Sequence, residues 1–205
     1  VSSSDLNNII TVGGRSIFKT TNGGTTWFLL NSSEILVNLT SVFFFDANTG
    51  TSVGYQGSIL NTTDGGLTWQ LQTSVVTEWL MDLFFIDAYN GWIVGTNGTI
   101  LKTTNGGVNW NLQPNSFGNN FHGVFFTSTL NGTIISKDIY GQGNIRRTTD
   151  GGTTWTLNYS AADQQLTDIF FTDSSNGWVG GGQYDWQQGH TSIILKTTDC
   201  GATWI

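Results

Sequence analysis

Short apolar runs alternate along the chain with stretches of Thr, Asn, Asp and Gly, and the alternation is itself periodic. Five segments end alike: TTNGGTTW at 20–27, TTDGGLTW at 62–69, TTNGGVNW at 103–110, TTDGGTTW at 148–155 and TTDCGATW at 197–204. Their tryptophans, Trp27, Trp69, Trp110, Trp155 and Trp204, are 42, 41, 45 and 49 residues apart. Each segment follows a short apolar run (SIFK, SILN, TILK, NIRR, IILK). Between the tryptophans lies a second recurring block: LTSVFFFDANTG, LMDLFFIDAYNG, FHGVFFTSTLNG and LTDIFFTDSSNG. A third run follows, such as TSVG, WIVG or WVGG. The first residues obey the same pattern, with Asp5 matching Asp46 and Gly13 matching Gly54.

Each unit therefore holds four candidate strands: a Phe-rich run (A), a run ending in Gly (B), an I-L-K run (C) and a run starting at Trp (D). Strands this short, at about 40 residues per four-strand unit, predict an all-β protein, a β-propeller of four-stranded antiparallel blades. Five blades are visible, at approximately 1–30, 39–72, 80–113, 121–158 and 166–205. Strand A is apolar on both faces (Val42 and Phe44, then Phe43 and Phe45), as expected of a strand sandwiched between neighbouring blades. A β-solenoid fits less well, because its coils are usually shorter and its strands are not hairpins. The 31 Thr, 19 Asn and 27 Gly suit short strands and tight turns better than helices.

The C–D turn reads Thr-x-Asp/Asn-x-Gly-x-Thr-Trp. Its acidic or amide side chain (Asn22, Asp64, Asn105, Asp150, Asp199) can accept hydrogen bonds from backbone N–H groups further along and lock the hairpin. The Trp is expected to bury its ring against the adjoining blade, leaving the indole N–H to find a carbonyl. A residue present in every unit shapes a turn rather than performing a single chemical event. The recurring acids after strand A (Asp5, Asp46, Asp87, Asp173) are read the same way. No D-x-D-x-D-G loop suggests an EF-hand-type calcium site.

This turn resembles the Asp-box of BNR-type propellers, found in sialidases, sortilin-like receptors and some β-glucanases. NGWIVGTNGTILKTTNGGVNW at 90–110 is similar to the repeat of the photosystem II stability and assembly factor family. The resemblance covers essentially the whole chain. It implies a propeller, usually of more than five blades, in which the Asp-box is structural and lies opposite the usual binding face. It also implies assembly or adhesion roles. Two departures stand out: Asn22 and Asn105 replace the acid, and Cys200 replaces the first Gly of the pair. Photosystem-type members typically carry a basic patch, which three arginines cannot supply.

Function is expected where the units differ. From the strand A acid position to the next Trp the distance is 23 residues in the second and third units, 27 in the fourth and 31 in the fifth. The extra length falls between strands B and C, as loops KDIYGQGN (137–144) and GQYDWQQGHTS (182–192). B–C and D–A loops share one face, so a candidate partner-binding rim comprises Asp138, Tyr140, Tyr184, Asp185, Trp186 and His190. Trp79 and His122 come from D–A loops, together with Glu78, Asp163 and Gln164. Tyr and Trp beside amides and acids are usual in protein or carbohydrate contact surfaces. Alternatively, Trp186 simply covers its own loop. Arg146 stands in the slot of Phe18, Leu60, Leu101 and Leu195. A register shift there is expected, rather than an Arg paired inside the seam by Asp138, because a buried unpaired charge is costly.

Charge narrows the classes further. Charged residues are 10% of the chain and the net charge is −7. No cationic stripe for nucleic acid or anionic lipid can be assembled, and no apolar run is long enough to span a membrane. Cys200, His122 and His190 cannot build a zinc site. No cofactor or metal is expected, and no catalytic residue. A sialidase needs three converging arginines, but Arg146 and Arg147 are neighbours on opposite faces of a strand and only Arg15 remains. A glycosidase needs two carboxyls about 5–10 Å apart; Glu78 with Asp185 is conceivable. The reading is a non-enzymatic binding or scaffold propeller whose B–C/D–A face meets a protein or glycan, with a polysaccharide-cleaving Asp-box propeller as the alternative. The composition suggests an extracellular or cell-surface location, or the periplasm. The short last strand suggests that further sequence or another subunit completes the assembly.

Overall fold

A computed structural model describes residues 1–3, 5–30, 36–185 and 189–205, excluding the side chains of Ser3, 183–185 and His190. Nineteen strands occur among them, joined by tight turns. The first sheet holds β1 (Ser2–Ser3), β2 (Ile9–Gly13), β3 (Ser16–Thr20) and β4 (Phe28–Leu30). The second holds β5 (Leu39–Phe44), β6 (Gly50–Gly54), β7 (Ile59–Thr62) and β8 (Gln70–Leu71). The third holds β9 (Leu80–Phe85), β10 (Gly91–Gly95), β11 (Ile100–Thr103) and β12 (Asn111–Leu112). In the fourth are β13 (Asn120–Phe126), β14 (Gly132–Lys137), β15 (Gly143–Thr148) and β16 (Thr156–Ala161).

The fifth sheet has three strands, β17 (Gln164–Phe171), β18 (Gly177–Asp185) and β19 (Gly189–Thr197), rather than the expected four. Ile205 exchanges two backbone hydrogen bonds with Lys196, where a fourth strand begins in the other sheets. In every sheet, neighbours in sequence are neighbours in space. The chain divides into two compact units, Val1–Ile93 with Leu101–Leu112, and Val94–Ile100 with Gln113–Ile205.

Within each unit the core lies between consecutive sheets. One cluster joins Ile10 and Ile17 of the first sheet to Leu39, Val42, Phe44 and Leu60 of the second. Another joins Val53 and Ile59 to Leu80, Leu83, Phe85, Ile93, Leu101 and Trp110. In the second unit, Ile135 and Ile145 meet Leu166, Ile169, Phe171, Val179, Leu195 and Trp204. A sheet sandwiched on both faces needs apolar residues on both, which is why the Phe-rich strands do not alternate.

In four of the five repeats one glycine is required by packing rather than by turn geometry. A Cβ on Gly50, Gly91, Gly132 or Gly177 would come within 2.4–2.7 Å of the ring of Phe44, Phe85, Phe126 or Phe171. The first B position must therefore be bare so that the ring of strand A can lie across it.

Three sequence expectations are corrected. The insertions in the fourth and fifth units extend strands more than they form loops. β18 and β19 run nine residues each, pairing Gln183 with Thr191, Tyr184 with His190 and Asp185 with Gly189. His122 lies on β13, not in a loop, at a bulge between Phe121 and Gly123. Thr40 and Thr167 stand at the same bulge of β5 and β17. Arg146 keeps the register of its counterparts: Ile134 faces Arg146 as Ser52 faces Leu60 and Val179 faces Leu195. The irregularity lies on the other side of β15, toward β16. The insertion lengthens a hairpin symmetrically, so it leaves the pairing below it unchanged.

Candidate partner-binding site

The recurring C–D turn is a closed hydrogen-bond unit. In the second repeat the Thr62 hydroxyl donates to Asp64 Oδ1 at 2.8 Å and accepts the Gly66 N–H at 3.0 Å. Asp64 accepts the Thr68 N–H at 2.9 Å, and its second oxygen takes the Thr68 hydroxyl. Asp150 and Asp199 repeat the arrangement with Thr154 and Thr203. These donors hold the carboxyls of Asp64, Asp150 and Asp199 down to about 2. Where the acid is an amide, Asn22 accepts the Thr26 N–H and its Nδ2 donates to the Thr26 hydroxyl. Asn105 accepts the Asn109 N–H.

The turn's tryptophan closes on its own unit. Trp69, Trp155 and Trp204 donate their indole N–H to Gly66, Gly152 and Gly201 carbonyls, three residues back. Their rings stand edge-on to Phe44, Phe126 and Phe171 of strand A in the same sheet. Trp110 stands likewise against Phe85, but its buried Nε1 has no partner among the described residues. Trp27 is 42% exposed. Cys200 adopts φ 63°, the left-handed conformation of the glycine it replaces.

At the other end of the sheets, the rim residues take distinct roles. Asp138 is a turn former: Oδ1 accepts the N–H groups of Tyr140 and Gln142, and Oδ2 the amide of Asn144. The tip it builds leaves Ile139 and Tyr140 each 81% exposed. His122 is half-buried, and burial, with Lys137 nearby, lowers its pKa, so the imidazole is neutral at pH 7. Trp186 lies outside the described residues, as do the side chains of Tyr184, Asp185 and His190. Among the described residues, no three His, Cys, Asp or Glu gather where a metal could sit.

Trp79 is the rim residue that finds a built setting. Its ring stacks on Tyr55 at 4.2 Å between centroids and 4° between planes, and it remains 48% exposed. The backbone makes this possible. Tyr55, Gln56 and Gly57 form a tight turn after β6, with Gln56 and Gly57 at φ 58° and 67°. The Gly57 N–H donates to the Glu78 carbonyl at 2.8 Å, tying the B–C turn to the D–A loop, while a Cβ there would lie 2.0 Å from the Val76 carbonyl. Exposed Val75 flanks the pair in sequence. Position 79 holds Trp in this unit but Asn120 and Gln165 in later ones, and Tyr55 corresponds to Thr96. Sequence reasoning centred on long loops does not find Tyr55. The signal that could have found it is its divergence at an otherwise uniform turn.

Phe117 is a second aromatic that sequence reasoning does not find. The Arg146 guanidinium lies 4.1 Å from its ring centroid. Burial lowers the Arg146 pKa, Asp138 opposes that shift, and the buried Nε has no hydrogen-bond partner among the described residues. A cation over a ring face recovers part of the desolvation cost.

Comparison with known proteins places the architecture. Residues 66–158 match the family model described as photosynthesis system II assembly factor YCF48. No curated protein matches the sequence. Among solved structures, YCF48 bound to D1 peptide superposes with a TM-score of 0.68 at 18% identity, covering 99% of this chain and 79% of that one. YCF48 from Cyanidioschyzon merolae gives 0.65 at 19%, covering 99% and 82%. The GH74 enzyme of Niastella koreensis gives 0.78 at 16%, with all of this chain matching 37% of that enzyme. At such identities the likeness carries the fold alone. Repeats, sheet order and these likenesses together show a BNR-type β-propeller fold, with residues 66–158 similar to the YCF48 family.

Proposed function

We propose that the protein is a non-enzymatic scaffold that binds a protein segment at the B–C/D–A end of its second sheet. The observation that carries this is the parallel Tyr55–Trp79 stack, with Trp79 exposed, held by a backbone bond between the two segments that bear it. Rigid aromatic rings offer large contact area at small entropic cost, the usual chemistry of a binding hot spot. The likeness to YCF48 bound to D1 peptide supports a peptide as occupant. Low charge and abundant Thr and Asn support an extracellular, cell-surface or periplasmic setting, which fractionation of the native source tests.

Peptides selected from a random display library against the chain should lose roughly tenfold or more in affinity on Trp79→Ala, with Tyr55→Ala similar. Because Trp79 is half exposed, the melting temperature should barely move. Selected peptides that bind Trp79→Ala undiminished would overturn the reading. The likeness to the GH74 enzyme favours one alternative, a polysaccharide hydrolase using Glu78. Turnover of a chromogenic oligosaccharide abolished by Glu78→Gln would establish it instead.

A further inference from the structure

The seam between the first and second sheets and the seam between the second and third are built from corresponding residues, and only one is filled. In the first seam, Ser2, Asn8, Ile10, Lys19, Phe44, Ala47 and Gly65 enclose a space of about 10 Å³. Lys19 borders what space remains, its ammonium donating to the Gly65 carbonyl at 2.7 Å. In the second seam, Phe43, Thr49, Thr51, Phe85, Ala88 and Gly106 take the corresponding places, with Phe45 and Asp46 beside them, and the cavity is about 110 Å³.

Sequence substitutions peculiar to the second repeat open this space. The strand C cation present in the other four units (Lys19, Lys102, Arg147, Lys196) is Asn61 here. Asn61 pairs across the strands with Thr51, which lines the cavity, and its buried Oδ1 has no partner among the described residues. A Cβ on Gly65 would meet Lys19 Nζ at 3.1 Å, whereas one on Gly106 would meet only the Ala88 carbonyl group within 4 Å. Phe45 stands where later units have Ile86, Thr127 and Thr172. Thr49 replaces the Asn that, in three units, ties the second oxygen of the turn carboxylate: Asn8 to Asp5, Asn90 to Asp87, Asn176 to Asp173. Asp46 still accepts the Thr49 and Asn48 N–H groups on Oδ1, and the Thr49 side chain bonds the carboxylate more weakly; these hold it ionised, but no amide among the described residues claims Oδ2.

We propose that this cavity is a socket for a lysine side chain of a partner protein, whose ammonium takes the place Lys19 takes in the neighbouring seam. The Gly106 carbonyl, counterpart of Gly65, and the Asp46 carboxylate receive the charge. Phe43, Phe45 and Phe85 line the alkyl stem and offer ring faces to the cation. The size fits a slender chain: a cavity of roughly 150 Å³ is what accepts benzene, and this one is smaller. A net charge of −7 favours a cationic guest. The socket lies at the A–B/C–D end of the sheets, opposite Tyr55 and Trp79, so either site can fail without the other.

Nuclear magnetic resonance titration of the 205-residue chain with Nα-acetyl-lysine N-methylamide and with n-butylammonium tests the socket. Both should shift amides of Phe45–Thr51 and Gly106, and acetyl-norleucine and acetyl-arginine N-methylamides should bind roughly fivefold or more weakly. Asp46→Asn, which keeps the turn acceptor, should weaken lysine binding by a similar factor. Asn61→Lys should fill the cavity from within and abolish binding; Thr49→Asn, a milder change, should reduce it by engaging Asp46. Shifts elsewhere, equal binding of norleucine, or binding indifferent to Asp46→Asn and Thr49→Asn would overturn the proposal. Binding of butylammonium but not of the lysine derivative would overturn the protein partner.

Discussion

A carboxylate at the third position of each C–D turn competes with an amide on nearly equal terms, and hydrogen bonding explains why. Asp64 accepts from the backbone and hydroxyl of Thr68, whereas Asn22 accepts from the Thr26 backbone and donates to its hydroxyl, which turns to suit. Asp64→Asn should therefore leave stability at pH 7 within about 0.5 kcal/mol, while Asp64→Ala should cost roughly 1–2 kcal/mol by chemical denaturation. The acid limb behaves differently. The native carboxyls of Asp64, Asp150 and Asp199 lie at about 2, below their ordinary 3.8. Their contribution is complete above pH 4 and drains away as pH falls toward 2. A melting series from pH 5 to 2 should show this decline, and a triple Asp→Asn variant should flatten it; an unchanged slope would refute the assignment. The role of these turns was legible in their repetition. That the indoles of Trp69, Trp155 and Trp204 bond their own turns was not, since no spacing distinguishes a carbonyl three residues back from one on a neighbour.

A strand is specified here by what crosses it as much as by its own pattern. Phe126 lies over the bare Cα of Gly132, and the same pairing recurs in the second, third and fifth sheets. Gly132→Ala should cost roughly 1–3 kcal/mol although its φ is unremarkable, because a Cβ would sit 2.4 Å from the ring. Gly118→Ala provides the contrast: nothing lies within 4 Å of its Cβ, so its cost comes from φ 60° alone. Denaturation midpoints separate the two, and a smaller loss at Gly132 than at Gly118 would contradict the packing account. Strand existence and order were legible from the apolar runs. The length of β18 and β19 was not, because Gly-Gln-Tyr-Asp and Gly-His-Thr-Ser read as loop until a partner strand supplies their hydrogen bonds.

For the whole molecule, stability resides in seams between successive sheets, so damage should spread by proximity. Leu80 and Leu166 are each fully buried, in separate clusters of separate units. Truncating either to Ala should cost about 2–5 kcal/mol. In a repeat protein the loss should appear first in neighbouring strands. Hydrogen exchange should thus show β5–β12 deprotected by Leu80→Ala and β13–β19 by Leu166→Ala. Uniform loss of protection in both would show that the units do not open separately.

The sequence by itself determined the number of repeats, their strand order and the turn chemistry, because those depend on contacts within some forty residues and are printed five times over. Tertiary structure decided which irregularities matter. Tyr55 meets Trp79 only because a turn and a distant loop share one backbone bond. The space left by Asn61 becomes a cavity only because the next sheet places Phe85, Ala88 and Gly106 against it, and no local pattern encodes what a neighbour leaves unfilled.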